Sequence, residues 1–400
     1  MLITLIAGAR PNFMKIAPLI KAIQQANQNG HDIHYRLVHT GQHYDKNMSD
    51  TFFEELGIPM PDVNLGCGGG TQAEQTANIM MAFEKDLMAN PTDLVLVVGD
   101  VTSTMACSIV AKKLNTKVCH VEAGIRSWDL SMPEEINRMV TDALADYMFT
   151  TSEIANKNLL LQGAELQASS SNSLIASSPN SLPALEEEQY AFKRNVQKVW
   201  YVGNVMIDTL LANRARFRRP AVYDSLGLEE KQYVVMTMHR PANVDEQEHL
   251  KALMEQIITN VHGLPIIFPI HPRTAKLFYN LWGDEEKLKE IFPNLHIVDP
   301  MGYLEFNYLV ERAKAVVTDS GGITEETTVM GVPCITLRDN TERPETCTVG
   351  TNMLIGTKPE AIKPALDKLF AGEWKQGAIP VLWDGHTSER IVDILLSSFE

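Results

Sequence analysis

Short apolar, β-branched runs alternate along the chain with longer stretches in which apolar residues recur at helical spacing. The runs predict strands over 2–7, 34–39, 94–98 and 117–121. The longer stretches predict helices over 17–27, with Pro18 in its first turn, and over 72–89, 105–114 and 134–146. Leu94, Val95, Leu96, Val97 and Val98 are apolar at every position instead of every second one. Such a strand is covered on both faces, which is the environment of a parallel sheet. The βαβα order therefore predicts a doubly wound α/β domain, with ligands bound by loops at the carboxyl ends of the strands.

The rhythm breaks over 167–195, a stretch rich in Ser, Asn and Pro and poor in large apolar residues, which reads as a surface insertion without chemistry. It resumes with strands over 200–202, 233–237, 265–269, 296–298, 315–318 and 334–337. A chain of 400 residues exceeds what one core serves. The expectation is α/β with two Rossmann-like doubly wound domains facing across a cleft, 1–205 and 206–384. A last helix, within 385–400, packs back on the first.

The formal net charge of -15 argues against nucleic acid or an anionic membrane surface as the main partner, but leaves room for a local basic phosphate site. No apolar run is long enough to span a bilayer, and the apolar start reads as a strand rather than a signal peptide. Five scattered cysteines, Cys67, Cys107, Cys119, Cys334 and Cys347, form no C-x-x-C pair; reduced thiols in a cytoplasmic protein are expected. No G-x-G-x-x-G follows a strand and no His spacing suits a metal, so neither NAD nor a metal is expected.

Candidate chemistry sits at predicted strand ends. Arg10 and Lys15 follow Gly8 after the first strand and fit a phosphate site or a solvated turn equally. Asp100, after the strand at 94–98, fits an N-cap for the next helix, and its strand-end position keeps catalysis open. Glu122 also ends a strand and has no structural partner in view. Glu134 and Glu135 open a helix behind Pro133, where acidic side chains suit the helix dipole; for Glu135 and Arg138 that account suffices. Were Asp100, Glu122 and Glu134 to converge, they would raise one another's pKa values and suit acid–base work at a sugar carbon. His239 and Arg240, with His271 and Arg273 at the next strand end, fit a diphosphate clamp. Ser320, Gly321 and Gly322 form a glycine turn between strand and helix whose amides suit a phosphate, and Glu326 one turn on suits ribose hydroxyls.

In order along nearly the whole chain, the segments GARPNFMKIAPL, HTGQHYD, GDVTST, HVEAGIRS, MPEEINR, VGNVMIDTL, MHRPANVD, HPRT, GYLEF, TDSGGITEE and RDNTERPE resemble the non-hydrolysing UDP-N-acetylglucosamine 2-epimerases. The resemblance implies the glycosyltransferase-B arrangement, a homodimer and no redox cofactor. It implies reversible C2 epimerisation of UDP-GlcNAc to UDP-ManNAc for bacterial surface polysaccharides, by loss and re-addition of UDP through 2-acetamidoglucal. Carried over by position, Asp100, Glu122 and Glu134 match catalytic carboxylates and His239 the histidine that assists UDP. Arg10, Lys15, Phe306, Ser320, Gly321, Gly322, Glu326 and Arg343 match nucleotide-binding positions. Gln42 and His43 lie where bacterial members bind a second, activating UDP-GlcNAc. Asn12 departs from the glutamate that many members carry. The alternatives are a 2-epimerase of a modified UDP-N-acetyl sugar and a UDP-sugar glycosyltransferase; a hydrolysing relative and a UDP-sugar sensor rank lower.

Overall fold

In the computed structural model, residues 1–42, 53–161, 165–166, 197–270 and 272–399 are described. The stretch 167–195 lies outside them. The chain divides into two compact units. The first comprises Met1–Thr209 and Asp384–Glu400, the second Leu210–Trp383.

Among the described residues the first unit is built on eight strands: β1 (Leu2–Ala7), β2 (His34–His39), β3 (Val63–Asn64), β4 (Leu94–Val98), β5 (Lys117–Val121), β6 (Tyr147–Thr150), β7 (Glu165–Leu166) and β8 (Lys198–Tyr201). They lie side by side in the order β3-β2-β1-β4-β5-β6-β8-β7. Every pairing is parallel; β4 runs in register with β5 from Leu94 opposite Lys117 to Val98 opposite Val121. Its helices include α1 (Arg10–Gln28), α2 (Gln72–Ala89), α3 (Thr102–Lys113), α4 (Pro133–Leu144) and α5 (Glu153–Leu160). Helices α2, α3 and α4 lie next to one another. Ile79, Phe83, Ala106, Cys107 and Val110 from α2 and α3 bury Val95, Val97 and Val118 of the sheet.

Helix α1 starts at Arg10 instead of residue 17, so Pro18 lies inside it and not in its first turn. The helix Thr387–Phe399 packs against α1. Asp208 caps its start, accepting from the amides of Thr387 at 3.1 Å and Ser388 at 2.6 Å.

The second unit has β9 (Val234–Thr237), β10 (Ile266–Pro269), β11 (Leu295–Val298), β12 (Ala315–Thr318), β13 (Cys334–Thr336) and β14 (Asn352–Leu354), in the order β11-β10-β9-β12-β13-β14. Counted within the unit, this is 3-2-1-4-5-6, the dinucleotide-fold order. Alternate residues of its strands enter different cores. Val234, Met236, Ile266, Phe268 and Val317 join one cluster, while Val235, Ile267 and Val316 join another. Burial on both faces explains why these strands read as unbroken apolar runs. Among the described residues, no helix is long and apolar enough to cross a membrane.

Candidate active site

In each unit the strand order reverses beside the first strand, between β1 and β4 and between β9 and β12. Chains leave such neighbouring strands in opposite directions, which opens a crevice at their carboxyl ends. The sequence-predicted residues cluster at these two places.

In the first unit, the turn after β1 is held by Asn12. Its Oδ1 accepts from the Gly8 and Ala9 amides, each at 3.0 Å, and its Nδ2 donates to the Val98 carbonyl at 3.1 Å. The side chain therefore closes the start of α1 and fastens it to the end of β4. Arg10 is exposed in the first turn of α1, and Lys15 is buried one turn on. Lys15 Nζ donates to Glu122 Oε2 at 2.7 Å. Glu122 thus has a structural partner. Its φ of 72° lies in the left-handed region, where a side chain costs of order 1 kcal/mol or more. Gly99 lies beside the pair; a Cβ there would stand 2.9 Å from Lys15 Nζ.

Asp100 is not an N-cap. Val101 takes that place on α3, and no side chain caps the helix. The Asp100 carboxylate instead faces Arg138, whose Nε and Nη2 lie 3.1 and 3.0 Å from Oδ2. Asn137 Nδ2 donates to the Asp100 carbonyl at 2.9 Å. Arg138 also pairs with Glu135. Glu135 is completely buried and accepts from the amides of Ser127 at 3.0 Å and Trp128 at 3.1 Å. Burial pushes its carboxyl up, but these donors and Arg138 outweigh it and hold the pKa below its ordinary value. The dipole account of Glu135 and Arg138 is therefore incomplete: they form the buried support of Asp100. Two of the three carboxylates are thus held by cations, Glu122 by Lys15 and Asp100 by Arg138.

Glu134, one residue earlier on α4, is exposed and lines a cavity of about 380 Å³ with Gln42, Gly69, Gly70, Gln75 and Asn137. Gln42 Oε1 accepts from Ser103 N at 3.2 Å and Oγ at 2.9 Å. His43 lies outside the described residues.

In the second unit, β9 leads to His239 and Arg240, and β12 to Asp319. Asp319 is fully buried and accepts from the amides of His239 at 3.0 Å and Arg240 at 2.8 Å and from Asn243 Nδ2 at 3.0 Å. His239 Nδ1 stands 2.8 Å from its Oδ1. Burial pushes the Asp319 carboxyl up, but His239 and the other donors prevail and bring it down to about 2. The His239 ring remains 62% exposed. Arg240 Nε donates to the Asp319 carbonyl at 3.1 Å. His271 and the side chain of Arg273 lie outside the described residues.

Ser320 is the N-cap of the helix Gly321–Met330. Its amide donates to Thr318 Oγ1 at 3.0 Å, so the donors left for an anion are those of the first helical residues, Gly321 and Gly322. Glu326 is buried in the second turn, and Tyr303 Oη donates to its Oε1 at 2.8 Å. Burial, aided by nearby Glu325, raises the Glu326 carboxyl to about 7 against the pull of Tyr303. Arg343 pairs with Glu325. Phe306 is half-buried against the cluster that holds Leu309 and Val310. Among the described residues, no group of three or more His, Cys, Asp or Glu could hold a metal ion.

Sequence reasoning missed the supports: Asn12, Glu135 and Arg138. The signal for Arg138 was its place one turn after Glu135 in MPEEINR, on the same buried face of the helix.

The chain is similar to known proteins throughout. The family model for UDP-N-acetylglucosamine 2-epimerase matches residues 25–396. UDP-N-acetylglucosamine 2-epimerase of Methanocaldococcus jannaschii is 38% identical over 405 residues, covering 99% of both chains. A crystal structure of the M. jannaschii enzyme in complex with UDP-GlcNAc and UDP superimposes with a TM-score of 0.81, covering 99% of this chain and 100% of that one. UDP-2,3-diacetamido-2,3-dideoxy-D-glucuronate 2-epimerase of Pseudomonas aeruginosa is 34% identical over 397 residues, covering 99% of both. A likeness that runs from one end of the sequence to the other, across both sheets, makes this chain a member of the UDP-N-acetylglucosamine 2-epimerase family.

Proposed function

We propose that the protein interconverts UDP-GlcNAc and UDP-ManNAc by removing and re-adding UDP. The observation that carries this reading is the set of carboxylates, Asp100, Glu122 and Glu134, at the ends of the adjacent strands β4 and β5 and at the start of α4. The C2 hydrogen of the substrate adjoins no carbonyl within the ring and is not acidic. A carboxylate takes it as a proton while the C1–O bond breaks and its electron pair leaves with UDP. The C1–C2 double bond of 2-acetamidoglucal forms. UDP then re-forms the C1–O bond as a carboxylic acid returns a proton to the opposite face of C2. Asp100, Glu122 and Glu134 share the proton work, with Lys15 and Arg138 orienting two of them.

Arg10, Arg240, His239 and the Gly321 and Gly322 amides bind the diphosphate, and with them go Ser320 and Arg343. His239 is suited to this by its exposed ring, held from behind by Asp319. Glu326 takes the ribose hydroxyls and Phe306 the base; His271 and Arg273 belong to the same clamp. Gln42, beside Glu134 on one cavity, supports a second nucleotide-sugar site with His43.

A homodimer is supported by an apolar face. Met81 and Met88 on α2, Ile136 and Met139 on α4, and Trp128 and Leu130 before α4 are exposed. Exposed apolar side chains on two helices of one layer suit a second copy of the chain. Five free thiols suit a cytoplasmic enzyme.

The test is proton NMR of UDP-GlcNAc with the protein in D₂O and no added cofactor. Deuterium at C2 and the appearance of UDP-ManNAc are expected. Free ManNAc with one UDP each would mean hydrolysis instead. The Pseudomonas relative favours a second reading, a modified UDP-N-acetyl sugar as substrate. Turnover of a 2,3-diacetamido uronate and none of UDP-GlcNAc would establish it.

A further inference from the structure

Beneath the carboxylates lies a network that the proposed chemistry does not use. His120, on β5, is completely buried, as is Asp142 on α4. His120 Nδ1 stands 2.7 Å from Asp142 Oδ1. Its Nε2 stands 2.8 Å from the carbonyl of Gly99. The other oxygen of Asp142 accepts from the Gly124 amide at 3.0 Å and from Arg126 Nη1 at 2.6 Å. Burial pushes the Asp142 carboxyl up, but His120 and Arg126 together outweigh it and keep the group a carboxylate.

The geometry singles out one bond. A carbonyl and a carboxylate only accept, so both ring nitrogens carry a proton: Nδ1 donates to Asp142 and Nε2 donates to Gly99. That carbonyl belongs to the peptide joining Gly99 to Asp100. Gly99 has a φ of 67°, and its own amide donates to the Val121 carbonyl at 3.1 Å. The imidazole therefore fixes the rotation of the peptide plane from which Asp100 departs. Turning that plane would carry the Asp100 carboxylate off Arg138. Through Asp142 the same ring is tied to α4, the helix that presents Glu134, and to the turn that follows Glu122. One buried pair thus joins the three segments that carry the carboxylates.

We propose that His120 is a positioning residue for the epimerisation, acting through the Gly99–Asp100 peptide. This rests on the function proposed above.

Two substitutions separate positioning from bulk stability. In His120→Asn the amide lies where Nδ1 was, keeps a partner in Asp142 and cannot reach Gly99. In His120→Gln the amide lies where Nε2 was, reaches the Gly99 carbonyl and abandons Asp142. We expect His120→Asn to lose kcat by roughly 10- to 100-fold, with KM and UDP affinity within about threefold of wild type. We expect His120→Gln to regain most of that kcat while melting at the lower temperature of the two. Activity and melting temperature then rank the variants in opposite orders. Activities that follow the melting temperatures, or full kcat in His120→Asn, would overturn the proposal.

A second measurement needs no variant. Nitrogen-15 spectra of the wild-type imidazoles should contain a slowly exchanging N–H on the His120 Nε2. A bare Nε2 would refute the inference whatever the variants do. Should that N–H be present while wild type exchanges no deuterium into C2, the functional reading fails and the buried geometry stands.

Discussion

Single residues set the protonation chemistry. Glu122 and Lys15 form a buried pair, so Glu122→Gln removes a negative charge from beside an ammonium. Turnover should fall by about 10²–10⁴-fold, the range of a lost general acid or base. UDP affinity should stay within about threefold, and the melting temperature should drop because Lys15 is left without its counter-charge. Equal loss of binding and turnover, read by titration calorimetry and NMR, would make Glu122 structural. Glu326 is the opposite case. Its folded-state pKa of about 7 lies above the ordinary 4.5, so the folded protein holds this proton more tightly than the unfolded chain. Its contribution is therefore full below about pH 4.5 and lost as pH rises through about 7. Urea unfolding at a series of pH values should find wild type losing stability over that interval and Glu326→Gln losing less. Ribose hydroxyls donating to the carboxylate would favour its charged form. UDP binding near neutrality should then release a proton, detectable by calorimetry in buffers of different ionisation heat.

At the scale of elements, the strands were legible because their pattern is local. Five consecutive apolar residues in β4 have one natural home, a sheet covered on both faces. The start of α1 was not legible. Ala9 cannot cap a helix, Pro11 resembles a turn, and the cap comes from Asn12 two residues inside. The place of Asp100 just before α3 fits a cap as well as catalysis for a related reason. An acid before a helix usually serves the nearest amides, and only the folded chain brings Arg138 to it from 38 residues away. The strand ends identified where chemistry could occur; the groups that hold Asp100, Glu122 and Asp319 come from distant segments and have no spacing to read. Gly124 tests how tightly these turns are built. Its φ is 78°, and a Cβ would stand 2.4 Å from the Ala155 carbonyl on α5. Gly124→Ala should destabilise the protein by about 2–4 kcal/mol, measured by urea unfolding. A change under about 0.5 kcal/mol would mean that the turn after β5 has room to relax.

For the whole molecule, association and connectivity matter most. If the exposed side chains of α2 and α4 form the dimer face, Ile136→Asp should convert a dimer to a monomer in sedimentation equilibrium. A wild type that sediments as a monomer, or a variant that stays dimeric, would remove that face from consideration. The second feature is the return of the helix Thr387–Phe399 to α1 and Asp208. Because of it the first unit is written in two pieces, with the whole second unit between them. Domains usually mature in the order in which they leave the ribosome. Here the order is inverted: the second unit can be finished while the first still waits for its final helix. A premature stop ahead of Thr387, after the whole of the second unit, would therefore strike the sheet encoded before that unit, the one that carries Asp100 and Glu122.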